Sequence, residues 1–220
     1  MRPDALVFDL DGTLIDSAAD LAQTLNLVLQ ENHRRSATLE EVRAMIGDGI
    51  GMLVQRGFAA TGEAIAPDYH KVITRRFLEL YIAPSRPHLA HTYPGVMETL
   101  QAFANQGIPM GVCTNKAQIA TEMVLHEAGL TGFFSSIVGH DKAPTPKPDP
   151  AHVRVVCEAL GHPTRAVMIG DSANDLRAGQ AYRLKVVLVT YGYGTPAALA
   201  AADATVDQFD ALPAALAALA

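Results

Sequence analysis

Asp9-Leu10-Asp11-Gly12-Thr13-Leu14 follows directly on an apolar run, Ala5 to Phe8, of the kind that forms a buried central strand. The run delivers two aspartates, spaced i and i+2, into a turn built by Gly12 and Thr13. Two carboxylates therefore meet at a strand end. One, Asp9, can attack an electrophile, and the other, Asp11, can pass a proton to the leaving group, which together are the parts of covalent catalysis followed by hydrolysis. An Asp-Gly turn after apolar residues is common by itself. Asp-x-Asp-Gly-Thr fixes four positions and is far less so.

Working outward, the segment from Ser17 to about Ser85 changes rhythm. Leu21, Leu25, Val28 and Leu29 recur at helical spacing to about His33, in a helix that Asp16 or Ser17 could cap. Thr38-Leu39-Glu40-Glu41 has the layout of a capping box and opens a second helix to about Ile46. Gly47-Asp48-Gly49-Ile50-Gly51 breaks it, and further helices are expected over 50–60 and 67–83. The stretch from Pro84 to Pro94, with three prolines, reads as a return linker.

Beyond it helices and strands alternate. Helices are expected at 96–105, 118–128, 150–160, 174–181, 196–202 and 211–219, and strands at 108–113, 136–139, 166–169, 185–189 and 204–206. That alternation predicts an α/β fold, a Rossmann-like parallel-sheet core with helices on both faces. The domain layout is then 1–16 core, 17–85 an inserted all-helical cap, and 86–220 core. Ligand chemistry in open α/β sheets gathers at the carboxyl ends of strands, so a helical block leaving from that edge is expected to act as a lid.

Three other strand ends carry chemistry. Thr114-Asn115-Lys116 offers a hydroxyl, an amide and a backbone N–H for phosphate oxygens, although Thr-Asn after a strand also serves as a helix cap. Lys147-Pro148-Asp149-Pro150 holds one lysine in a loop stiffened by two prolines; Lys142, five residues earlier, is a rival for the same duty. Gly170-Asp171-Ser172-Ala173-Asn174-Asp175 places two carboxylates four residues apart, where a helix start would turn both the same way.

These four stretches, in this order, resemble the four motifs of the haloacid dehalogenase superfamily of phosphohydrolases. The resemblance implies a helical cap after the first strand, Asp9 as nucleophile, Asp11 as acid and base, and Lys147 as countercharge. It implies Mg²⁺ held by Asp9, the Asp11 carbonyl and Asp171, with Asp175 acting through bound water or on Lys147. Asp-Gly-Thr-Leu-Ile-Asp-Ser at 11–17, Ile46-Gly47-Asp48-Gly49, Thr114-Asn115-Lys116 and Thr190-Tyr191-Gly192-Tyr193-Gly194 narrow the likeness to the phosphoglycolate phosphatases. Met45 stands where that group would carry tryptophan, and Arg183 where an Ala-Gly pair would close a helix. Substrate contacts are then expected from Thr114, Asn115, Lys116 and Gly49, the last in the glycine-dense stretch of the cap. Lys116 is a candidate partner for a substrate carboxylate. Alternatives within the same motif set are a phosphatase for another small phosphate or pyrophosphate, and a phosphomutase. A dehalogenase lacks the second aspartate and the metal carboxylates.

Composition bounds the partners. A net charge of −6, with 17 Lys and Arg in no long run, argues against a nucleic-acid surface, so a small phosphorylated metabolite must be held locally. No apolar run approaches membrane-spanning length. The chain starts with Met1-Arg2-Pro3-Asp4 and runs into the first strand without a signal region. Cys113 and Cys157 form neither a CxxC pair nor a framework, which fits a reducing cytoplasm. A monomer and a homodimer are both compatible with the sequence.

Overall fold

The computed structural model describes residues 3–85 and 89–219. Pro87, the middle proline of the expected linker, lies outside the described residues, as do Met1 and Arg2.

Strand β1 (Ala5–Phe8) is completely buried, and its alternating side chains serve two different layers. Ala5 and Val7 join a cluster with Val153, Val156, Met168, Leu176 and Leu188. On the opposite face Phe8 meets Phe134 and Phe209 at ring-centroid distances of 6.2 and 6.1 Å. A strand buried on both faces has no polar side, which is why the run Ala5 to Phe8 shows no alternation in sequence.

The chain next makes a two-residue strand β2 (Ile15–Asp16) and then four helices: α1 (Ala18–Glu31), α2 (Leu39–Arg43), α3 (Gly49–Thr61) and α4 (Pro67–Tyr81). It returns through β3 (His91–Thr92) and α5 (Val96–Asn105). From there it runs β4 (Met110–Cys113), α6 (Gln118–Glu127), β5 (Ser136–Val138), α7 (Pro150–Ala159) and β6 (Ala166–Gly170). The last elements are α8 (Ala173–Ala181), β7 (Lys185–Val189), α9 (Pro196–Ala200), β8 (Ala204–Val206) and α10 (Leu212–Ala218).

Six strands form one parallel sheet in the order β5-β4-β1-β6-β7-β8. The chain builds outward from β1 through β4 to β5, then crosses back and builds the other way from β6. The carboxyl ends of β4, β1 and β6 therefore lie side by side at the point where the winding reverses, and a doubly wound sheet leaves its ligand crevice there.

The chain divides into two compact units, Met1–Asp16 with His91–Ala220, and Ser17–Ala90. The first contains the sheet. Its return begins at His91, because β2 and β3 pair antiparallel, Ile15 opposite Thr92 and Asp16 opposite His91. The sequence carries no signal for this short ladder: β3 lies in the proline-rich stretch, and two-residue strands show no periodicity.

The second unit is all-helical. Leu25, Val28, Leu29, Val54, Phe58 and Phe77 are buried within it, and Phe77 stacks on Tyr81 one turn later at 6.1 Å between ring centroids. Thr38 and Glu41 form the expected capping box at the start of α2. Three local expectations are corrected. Ser17 occupies the cap position of α1 without a side-chain cap hydrogen bond. Helix α2 ends at Arg43, short of Ile46. Gly49 to Gly51 already belong to the first turn of α3, so the glycine-dense stretch is only partly loop. Arg56 anchors the turn before α3, donating to the Met45 carbonyl at 2.8 Å and pairing with Asp48.

Candidate active site

Asp9 extends the β1 ladder by one step, its N–H donating to the Ile169 carbonyl at 2.8 Å. This places its carboxylate between the ends of β1 and β6. The turn that follows closes on the Leu10 carbonyl, which accepts from the N–H groups of Thr13 and Leu14 at 3.2 and 2.9 Å. Gly12 is required here on two counts: its φ is +86°, and a Cβ would run into the Asp171 carboxylate.

Lys147 Nζ lies 2.9 Å from Asp9 Oδ1 and 2.6 Å from Asp175 Oδ1, with its side chain 2% exposed. Lys142 is exposed, so Lys147 is the lysine brought to the acidic cluster. Asp175 gives its second oxygen to Ser172, whose N–H and hydroxyl donate at 2.9 and 2.7 Å, and to the Asp171 N–H at 3.3 Å. Ser172 and Asp175 thus form a capping box on α8. The cap orients Asp175, and Asp175 in turn holds the Lys147 ammonium.

Asp9, Asp171 and Asp175 each offer an oxygen within 4.8 Å of the other two, and all three are buried. One ammonium faces three carboxylates. Burial pushes the Asp9 pKa up to about 6; Lys147 works against this and Asp175 adds to it. Asp171 is raised well above the usual carboxylate range by burial, then by Asp175 and Asp9. For Lys147 burial disfavours the charge, but Asp175 and Asp9 outweigh it and hold the ammonium charged. Lys147 and Asp9 both shift upward although they pair, because burial lifts Asp9 by more than Lys147 takes back, while Asp175 and Asp9 lift Lys147 by more than burial takes away. Hard carboxylate oxygens with uncompensated charge are the donor set of a small divalent cation.

The stretch Thr190 to Gly194 closes over this cluster. Tyr193 N–H donates to Asp171 Oδ2 at 2.6 Å, and a Cβ on Gly194 would collide with the Asp171 carbonyl. Tyr191 OH donates to the Thr13 carbonyl at 2.9 Å, and Tyr193 OH to Asp16 Oδ1 at 2.8 Å. The sequence marked this stretch as a family feature without a role. Its role here is to hold Asp171 from one side and the Asp9–Asp16 segment from the other.

At the end of β4, Thr114, Asn115 and Lys116 are all buried. Asn115 Nδ2 donates to the Lys147 carbonyl at 3.0 Å. Lys116 N–H, a backbone group of the stretch expected for phosphate, donates to Thr114 Oγ1 at 3.2 Å, and Gln118 N–H at the start of α6 donates to Asp141 Oδ1 at 2.7 Å. Lys116 Nζ stands 3.1 Å from both oxygens of Asp11. The sequence did not foresee that pairing. Gly49 belongs to the helical unit, at the first position of α3 with φ +82°.

Residues 6–189 match the family described as Haloacid dehalogenase-like hydrolase. The chain belongs to this family. A phosphoglycolate phosphatase of Caulobacter vibrioides is 37% identical over 94% of this chain and 88% of its own length. One of Rhodospirillum rubrum is 39% identical over 96% of this chain and 89% of its own. The crystal structure of a predicted phosphoglycolate phosphatase from Haemophilus somnus 129PT superposes with a TM-score of 0.88 at 30% identity, covering 98% of each chain. This member of the haloacid dehalogenase-like hydrolases is therefore an enzyme of the phosphatase-like kind. The family's parallel sheet and helical insertion are both present. Among the described residues no helix is long and apolar enough to cross a membrane.

Proposed function

We propose that this enzyme hydrolyses a phosphomonoester through an aspartyl-phosphate on Asp9, with Mg²⁺ as cofactor and 2-phosphoglycolate as preferred substrate. The observation that carries the reading is Lys147 Nζ bridging Asp9 and Asp175 at 2.9 and 2.6 Å beside the buried Asp171. Such an arrangement neutralises a nucleophilic carboxylate so that it can approach a phosphate dianion.

In the first step an Asp9 carboxylate oxygen forms a bond to phosphorus as the bond to the leaving alkoxide breaks, and Asp11 gives its proton to that oxygen. In the second, water attacks the aspartyl-phosphate, Asp11 takes the water's proton, and the acyl-phosphate P–O bond breaks to release phosphate and restore Asp9. Asp9, Asp171 and the Asp11 carbonyl would hold Mg²⁺, with Asp175 behind them; the cation supplies charge neutralisation at the transferring phosphoryl group. Thr114 and Asn115 line the phosphate end.

Lys116 links chemistry to substrate. Its ammonium stands 3.1 Å from both oxygens of Asp11, the group that passes the proton in the first step. A glycolate carboxylate would compete with Asp11 for that ammonium, which ties substrate recognition to the acid-base residue. The helical unit, with Gly49 as its backbone contact, supplies the remaining selection, and the buried cysteines are those of a cytoplasmic protein. The relatives' activity supports the choice of 2-phosphoglycolate.

The test is kcat/KM for 2-phosphoglycolate against hexose phosphates, nucleoside monophosphates and pyrophosphate, with Asp9→Asn as control. Turnover should vanish in the variant with the fold kept. Any competitor ahead by tenfold, about 1.4 kcal/mol of transition-state preference, removes the substrate assignment.

A further inference from the structure

Lys147 is held by its backbone as well as by its ammonium. Its carbonyl accepts from Asn115 Nδ2 at 3.0 Å, and its N–H donates to His152 Nδ1 at 3.3 Å. His152 sits in the first turn of α7, fully buried, and its Nε2 lies 2.9 Å from the carbonyl of Val138, the last residue of β5. The two partners settle the tautomer. Nδ1 faces a donor and must be bare, so Nε2 carries the hydrogen and donates to Val138. One neutral imidazole thus ties the lysine loop to the end of a strand.

We infer that His152 is a positioning residue for the reaction: it fixes the Lys147 backbone so that the ammonium reaches Asp9 and Asp175 together. This rests on the reading of Lys147 as the countercharge. The physical case is that a lysine side chain has four rotatable bonds and a buried pair rewards only good geometry, so anchoring both backbone groups removes freedom the side chain would otherwise spend. In sequence His152 looks like any helix residue two positions after a proline. Only the fold brings its two ring nitrogens between Lys147 and Val138.

The two contacts separate by substitution. An asparagine places an amide oxygen near the position of Nδ1 and keeps an acceptor for Lys147, whereas a glutamine places an amide nitrogen near Nε2 and keeps the donor to Val138. With His152→Leu we expect kcat to fall about tenfold or more while KM and the Mg²⁺ half-saturation stay within about twofold. His152→Asn should recover most of kcat and His152→Gln should not, although both lower the melting temperature. Equal recovery by the two amides would mean that His152 serves the fold alone, and wild-type kcat in His152→Leu would overturn the inference outright. Should His152→Leu fail to fold, the contrast between Asn and Gln still decides. Lys147→Ala separates the two levels: if it keeps turnover, the countercharge reading itself is wrong, and if it is inactive while His152→Leu is fully active, only the tether fails.

Discussion

Lys116 Nζ lies 3.1 Å from Oδ1 and from Oδ2 of Asp11, with the lysine side chain 2% exposed and the carboxylate 14% exposed. A lysine so placed pairs with Asp11 and, in the proposed function, also meets the substrate carboxylate. Lys116→Met should therefore lower kcat/KM for 2-phosphoglycolate more than for ethyl phosphate, which lacks the carboxylate. The expected change in the ratio is tenfold or greater, about 1.4 kcal/mol. An unchanged ratio would leave Lys116 with Asp11 alone.

Asp171 and Lys147 should fail in different ways. Asp171→Asn should abolish Mg²⁺ binding by calorimetry and the rise in melting temperature that Mg²⁺ produces, since the carboxylate is the proposed ligand. It should also raise the melting temperature of the metal-free protein, because the charge removed is a buried one that burial, Asp175 and Asp9 all disfavour. Lys147→Ala should lose rate with Mg²⁺ binding largely kept. Equal loss of Mg²⁺ affinity in both would contradict this division.

His152 has a pH signature. Burial, then the Lys147 charge, lowers its pKa to about 4; His140 adds slightly, while the Val138 carbonyl and Asp175 oppose. Between about 6.5 and 4 the unfolded chain binds a proton there and the folded protein does not, so stability falls as pH drops through that window. Asp9, raised to about 6, acts in the opposite sense: its contribution is full below about 3.8 and is lost as pH rises through 6. The wild type alone mixes the two. The difference between wild type and His152→Asn in urea denaturation cancels Asp9, and it should shrink steadily from pH 7 to pH 4.5. A difference independent of pH would mean His152 is not held neutral.

Arg183 is exposed and has φ +63°, at the residue after the cap of α8. Leu184 N–H still reaches the Gly179 carbonyl at 2.9 Å, so the helix ends in the left-handed turn that glycine normally makes. Arg183→Gly should stabilise the protein by about 1 kcal/mol without altering turnover. Thermal melting of the two proteins checks the sign.

The strand ends and the side chains they carry were legible in advance because each is local. An apolar run with no polar face needs a sheet buried on both sides, and Asp9, Thr114, Lys147 and Asp171 follow such runs or the loops after them. The α/β alternation, the helical insertion and the capping box of Thr38 with Glu41 depend on residues within a few positions of one another, and the sequence by itself determined them. The tertiary structure decided what depends on pairs distant in the chain: Lys116 with Asp11, Tyr193 with both Asp171 and Asp16, β2 with β3, and His152 with Lys147 and Val138. His152 shows why. A buried polar side chain must find partners, and which partners are in reach is settled by where β5, α7 and the Lys147 loop pack, a long-range outcome that no run of neighbouring residues encodes.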